Sequence, residues 1–308
     1  MDFLSKNLPY LLAGISVGGQ YALIAIGYTM VYGILRLINF AHGDIFMVAG
    51  LVMIYASTVL PLYVSIPLTI IVTVILGMVI ERVAYKPLRN APRMSVMISA
   101  IGVSYLLQNL ALYITGGLAQ VYPTIPFISN TVTIGSATTK VVTILTPILM
   151  IVLVVLLIQL INHTKIGMAM RAVSRDFETS QLMGIQINRV ISATFIIGTF
   201  LAAVGSILFF TNYPGVVPTS GAMPGLKAFV AAVFGGIGSI PGAFIGAFII
   251  GIAESIIKGL DTILIVNGVI DEQIGLATFS DAFTFVLLII ILVFKPTGLF
   301  GEKSTDKV

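Results

Sequence analysis

Residues 36–44, RLINFAHGD, crowd Arg36, Asn39, His42 and Asp44 into a stretch that lies between two long apolar runs. An imidazole beside a carboxylate could move a proton or hold a metal ion. The spacing argues against both. His42 and Asp44 are two residues apart, a separation that turns them away from each other on a helix. The second of the 2 histidines, His163, stands at the start of a distant basic loop. With 0 cysteines there is no thiolate metal site, no disulfide framework and no cysteine nucleophile. Intramembrane proteolysis would need an aspartate pair, a serine with a base, or H-E-x-x-H within the apolar runs, and none is present. No resident metal or cofactor is expected.

Two glycine-rich stretches resemble nucleotide motifs. GGIGSIP (235–241) approaches G-x-G-x-x-G, but Pro241 occupies the third glycine position and no βαβ pattern surrounds it. GLFGEKS (298–304) approaches a P-loop, but Glu302 separates the glycine from Lys303 and no helix pattern follows. The chain is therefore expected to hydrolyse no ATP and to be no enzyme.

The elements that must carry these residues are set by composition. Charged residues are 9% of the chain, against about 25% in an average soluble domain, and the mean hydropathy is +1.09. Such a chain uses the bilayer as its solvent and spans it with helices. The fold class expected is all-α, a single transmembrane helical bundle of about 8–9 spans over residues 1–308. Spans are expected near 8–32, 40–60, 62–80, 94–114, 141–161, 190–210 and 279–294. The first is read as a retained span rather than a cleaved signal, because no small-residue cleavage site follows it. The stretch 226–257 is too long for one span. Gly235, Gly236, Gly238, Pro241 and Gly242 interrupt it, which predicts a hairpin of two short or broken helices, 226–237 and 241–257.

The net charge of +4 resides in loops, which marks topology rather than nucleic-acid binding. Arg82, Lys86, Arg89 and Arg93 place 81–93 in the cytoplasm. Lys165, Arg171, Arg175 and Arg189 do the same for 162–189. The loop 115–140 and the acidic segment 258–282, with Asp261, Asp271, Glu272 and Asp281, are expected outside. Lys295, Lys303 and Lys307 place the C-terminus inside. Nine crossings with the N-terminus outside satisfy this alternation, and eight full spans plus a re-entrant element is the alternative.

Within the spans the polar residues are mostly neutral. Gln20, Gln108 and Asn109 are expected to hydrogen-bond across helices, with a role along a solute path as the other reading. Glu254 and Lys258 form an i,i+4 pair of favourable orientation, read as a local pair at the outer interface. No midplane charge supplies a driving force, so energy should come from a partner. In the loop 162–189, Ala172, Val173, Phe177, Ser180 and Gly184 fall at helical spacing near one side. That predicts one short amphipathic helix ended by Gly184, which either docks a partner or lies on the membrane. Gly14 with Gly18, and Gly242 with Gly246, have the spacing that lets helix backbones approach. In RLINFAHGD, Asn39 is read as a helix cap at the membrane surface and Asp44 as first-turn acid favoured by the dipole.

Several segments together resemble LivH-type permeases of branched-chain amino acid ABC importers. These are YALIAIGYTMVYGILRLINFAHGDIFMVAG (21–50), SAIGVSYLLQN (99–109), RAVSRDFETSQLMGIQINRVISATFIIGTFLAAVGSILF (171–209), LKAFVAAVFGGIGSIPGAFIGAFIIGIAES (226–255) and KPTGLFG (295–301). Urea and short-chain amide permeases share versions of INFAHGD and of the glycine-rich segment. The resemblance implies a permease subunit in a bacterial inner membrane. It implies a second, LivM-like permease subunit, two ATP-binding cassette subunits and an extracytoplasmic binding protein that delivers leucine, isoleucine or valine. ATP would be bound by the partners. The coupling helix implied falls on Ala172 to Gly184, including Asp176, Phe177 and Ser180, where Ser180 replaces the alanine common before the glycine. Gln20, Asn39, His42 and Gln108 are the residues assigned to the substrate path. An autonomous channel or secondary carrier, or a purely structural membrane subunit, would be the reading from another class.

Overall fold

The computed structural model describes residues 2–89, 91–134, 137–266 and 275–301. Helices α1 (Asp2–Leu35), α2 (His42–Val59) and α3 (Leu62–Ile80) lead into a π-helical turn (Glu81–Tyr85) and α4 (Arg93–Thr115). Strands β1 (Gln120–Val121), β2 (Thr131–Ile134) and β3 (Ala137–Lys140) precede α5 (Val141–His163). Two short helices follow, α6 (Lys165–Arg175) and α7 (Phe177–Leu182), then α8 (Ile187–Asn212), β4 (Gly215–Val216), α9 (Ala222–Gly235), α10 (Ile240–Val266) and α11 (Ser280–Phe294).

Eight of these helices are long and apolar enough to cross a bilayer, and α9 is shorter. At 14 residues, α9 extends about 21 Å, less than the roughly 30 Å hydrocarbon core. Eight full-length helices and one short one agree with the expectation of about 8–9 spans that include a broken hairpin. The hairpin is also asymmetric, one short helix followed by a full-length one. Its first arm starts at Ala222, four residues earlier than expected, and its second runs on to Val266.

Helix α1 runs through the middle of the bundle, packed by α5, α8, α9 and α10. Its contact with α10 is at backbone distance: a Cβ on Gly251 would lie 2.3 Å from the Gly18 amide nitrogen, and one on Gly14 would lie 2.8 Å from the Ile252 Cα. Helices α4 and α11 lie at the periphery with most of their length exposed, as a lipid-facing or partner-facing helix must be. At one end, β1 pairs antiparallel with β4 and β2 with β3. Tyr122 anchors this cap against Phe210, and burial pushes its hydroxyl well above the usual tyrosine range. The opposite end carries the basic loops. Asp271, Glu272, Lys303 and Lys307, used above for topology, lie outside the described residues.

Candidate pore mouth and coupling surface

At the basic end α1 stops at Arg36, which takes a left-handed backbone (φ 54) that bulky residues seldom adopt. The chain then folds back into the bundle instead of starting α2 at the surface. His42, the first residue of α2, packs its ring into a notch between α1 and α8. A Cβ on Gly27 would lie 2.2 Å from its Nε2, Gly198 borders the ring, and the Tyr28 ring is 5.0 Å away edge-on. Gly27 precedes Leu35 by eight residues, so α2 begins about 12 Å inside the end of α1.

This geometry corrects the reading of a capped helix start at the membrane surface. The cap position is Ala41, with no side-chain cap. Asn39 is buried, and its Oδ1 accepts a hydrogen bond of 2.6 Å from the Tyr85 hydroxyl. Its backbone carbonyl accepts the His42 N–H. Phe40 and Tyr28 both face Phe229 of α9. Tyr28, Tyr32, Ile38, Phe229, Ala232 and Ile237 line a shallow recess that opens at this end. The Asn39 Nδ2 and the His42 Nε2 are buried without a hydrogen bond.

The N-terminal ends of α2 and α9 meet inside the bundle through glycines. A Cβ on Gly43 would lie 2.5 Å from the Gly221 carbonyl oxygen and 3.0 Å from the Gly225 Cα. From there α9 descends to the basic end and turns into α10. Gly236 (φ 107) and Gly238 (φ 98) make the turn, and Pro241 falls in the first turn of α10, where a proline costs no hydrogen bond. Gly235 and Gly242 touch, since a Cβ on Gly235 would lie 1.9 Å from the Gly242 carbonyl oxygen. The last described residues close this turn. The N–H groups of Leu299 and Phe300 donate to the Phe234 and Gly235 carbonyls, two of the acceptors that a helix C-terminus leaves open.

His42 and Asp44 do point apart. Asp44 is buried in the first turn of α2 and faces α4, accepting from Ser104 Oγ at 2.5 Å and from Gln108 Nε2 at 3.0 Å. Gln108 thus ties two helices together as a cross-helix amide. Gln20 does not: it is fully buried, and neither its Nε2 nor its Oε1 is hydrogen-bonded. Asn109 turns back onto the Tyr105 carbonyl of its own helix. The four residues expected along a path are not one cluster. Asn39 and His42 lie in the segment that folds back into the bundle after α1, Gln108 on α4 and Gln20 deep in α1.

Glu254 is not a surface partner of Lys258 alone. It is buried, takes the Lys227 ammonium of α9 at 2.7 Å and the Tyr21 hydroxyl of α1 at 2.9 Å, and receives Lys258 as a third donor. Lys227 also reaches Asp281 at the start of α11 at 2.6 Å. Lys227 is the single charge in an otherwise apolar run, and that oddity was the available signal for the site.

The segment expected to be one amphipathic helix is two. Asp176 adopts extended backbone between α6 and α7, and its carboxylate accepts the Thr179 N–H and hydroxyl at 3.0 and 2.7 Å. An aspartate that caps a new helix ends the old one. Thr164 caps α6 in the same way. Val173 and Ser180 turn inward and Ala172 is half-buried, whereas Phe177, Leu182 and Met183 are exposed. Gly184 follows α7 at φ 82, the left-handed position that glycine fills past helix ends. This loop presents exposed apolar side chains on a fixed, capped frame, and that can seat a partner.

The chain matches the family described as branched-chain amino acid transport system / permease component over residues 10–292. It is 39% identical, over 100% of both chains, to the high-affinity branched-chain amino acid transport system permease protein BraD of Pseudomonas aeruginosa. It is 38% identical to the corresponding protein LivH of Escherichia coli, covering 98% of this chain and 97% of that one. The probable branched-chain amino acid transport permease protein LivH of Methanocaldococcus jannaschii is 29% identical over 91% of this chain and 88% of its own length.

Proposed function

The chain belongs to the family of permease components of branched-chain amino acid transport systems, and we propose that it is the membrane-spanning subunit of an importer for leucine, isoleucine and valine. It works beside a second, LivM-like permease subunit. Two ATPase subunits in the cytoplasm supply the energy, and an extracytoplasmic binding protein supplies the amino acid. The likeness to BraD over the full length of both chains is the observation that carries this reading.

The arrangement of the chain fits that role. The loops at the end bearing 36–41, 81–93 and 162–189 hold most of its basic residues, which supports a cytoplasmic position for that end, with the hairpin turn and the tail to Gly301. The α6–α7 loop is the surface for the ATPase, with Phe177, Leu182 and Met183 as its apolar contacts and Ala172, Asp176, Ser180 and Gly184 as its frame. The chain itself binds no cofactor. Asn39 and His42 flank the route out at the cytoplasmic mouth.

Reconstitution tests the proposal. Proteoliposomes with both permeases, the ATPases, the binding protein and ATP should accumulate radiolabelled leucine. Omission of any component should abolish uptake. Leucine uptake by this chain alone would make it an autonomous carrier and end the importer reading. ATP-driven uptake of urea or acetamide in place of leucine would move it to the urea and amide permeases.

A further inference from the structure

Four residues of α8, Asn188, Ser192, Phe195 and Thr199, recur at helical spacing and all receive the stretch from Gly77 to Arg89, the end of α3 and the turn that follows it. Arg89 donates to the Asn188 amide oxygen and pairs with Glu81. Ser192 Oγ donates to Glu81 Oε2 at 3.1 Å. The Tyr85 ring is 5.4 Å from that of Phe195, and a Cβ on Gly77 would lie 2.3 Å from the Thr199 methyl carbon. Glu81 and Tyr85 bound a π-helical turn closed by the Lys86 N–H on the Glu81 carbonyl, a rare conformation that often marks functional sites.

The Tyr85 hydroxyl then leaves α8 and donates to Asn39 in the segment that forms the mouth. Tyr85, Glu81 and Asn39 are each 1–2% exposed. Helix α8 begins directly after the α6–α7 loop, so the same helix that carries the loop's displacement carries this stripe.

We propose that Tyr85 is a positioning residue for transport, the joint by which movement of α8 is passed through the π turn to Asn39 and the pore mouth. This rests on the reading of 162–189 as the ATPase-docking loop. Glu81 and Arg89 clamp the turn to α8, so the turn follows that helix as one body. A displacement of α8 must then either carry Asn39 with it or break the Tyr85 hydrogen bond. The contiguous packing of α8, the turn and Asn39 is the kind of network through which two sites couple, and the coupling measurement is what establishes it.

The test uses the complete importer in proteoliposomes, with leucine uptake and ATP hydrolysis measured on the same vesicles. Tyr85→Phe removes only the hydroxyl. The double variant Asn188→Ala/Ser192→Ala removes the polar ties of the turn to α8 while leaving the Glu81–Arg89 pair and the Tyr85–Phe195 contact whole. Each should lower the leucine moved per ATP by about fivefold, the factor carried by one net hydrogen bond, with hydrolysis and assembled complex near wild type. The triple combination should be no worse than the weaker parent, because both cut one line. An unchanged ratio in either variant, or uptake and hydrolysis falling together with the amount of assembled complex, overturns the proposal. Wild-type vesicles without ATP-driven leucine uptake would overturn the importer reading itself, which the variants do not address.

Discussion

The Lys227 ammonium lies 2.7 Å from the Glu254 carboxylate with side-chain exposures of 6% and 1%, so α9 and α10 share a charge pair withdrawn from water. Burial disfavours the Lys227 cation. Glu254, with Asp281 as second partner, offsets that cost. Glu254→Leu would leave Lys227 with the half-exposed Asp281 alone and should destabilise the protein by about 3 kcal/mol. Lys227→Met/Glu254→Leu should recover part of that, since an apolar pair replaces a desolvated one while the buried Tyr21 hydroxyl loses its acceptor. Thermal unfolding of the purified protein in detergent measures both. A double variant as unstable as the sum of its singles would show that the two charges do not act as a pair.

Gly43→Ala tests the contact between the starts of α2 and α9. The new methyl would meet the Gly221 carbonyl oxygen and the Gly225 backbone, and backbone cannot rotate away as a side chain can. The cost should be about 1–3 kcal/mol, larger than for Gly102→Ala, where nothing lies within 4 Å. Gly102→Ala should be neutral or stabilising through helix propensity. Equal effects of the two substitutions on unfolding temperature would mean that α9 does not press on α2.

The spans could be read from the sequence because hydropathy is a one-dimensional signal. The expected bounds of α3, α5 and α11 agree with the observed ones to within two residues. The hairpin position was also legible, since Gly235 to Gly242 cannot continue a helix. What was not legible depends on depth. Asn39 and Asp44 have the residue types of a surface helix start, and their burial follows from Arg36 turning the chain inward. Glu254 has an ideal partner four residues on, and its deeper partner Lys227 is 27 residues away on another helix. The break at Asp176 was hidden because an aspartate suits an exposed helix face as well as a cap. Gln20 reads as cross-helix glue by type, and only the packing around it shows that it bonds to nothing.

Phe177→Glu should weaken the seating of the ATPase subunits. Phe177 opens α7 and is 41% exposed, so the charge should leave insertion and stability within about 0.5 kcal/mol of wild type. A carboxylate in an apolar contact with the ATPase should weaken the assembly at least about tenfold. Co-purification of the ATPase subunits with the tagged permease measures the loss, and leucine uptake should fall with it. Leu182→Ala, at 86% exposure, should act in the same direction but less. Full co-purification of the Phe177→Glu complex would remove α7 from the docking surface.

Asp44, Ser104 and Gln108 decide how α4 is held. Helix α4 packs chiefly on α2 and on the π turn, so the two hydrogen bonds to Asp44 are a large part of its attachment to α2. Gln108→Leu leaves the buried carboxylate with Ser104 alone and should cost about 1–3 kcal/mol, the penalty of an acceptor stripped of a partner. Replacing the whole set, Asp44→Leu/Ser104→Ala/Gln108→Leu, should restore most of the stability, because no unpaired polar group remains in the apolar interior. Hydrogen exchange along α4 gives the local readout: faster exchange near residues 104–108 in the single variant, and protection regained in the triple. Leucine uptake then separates structure from transport. A stable triple variant that still couples uptake to ATP makes Asp44 a tie between helices, whereas a stable triple variant that assembles, hydrolyses ATP and moves no leucine makes the carboxylate part of the path.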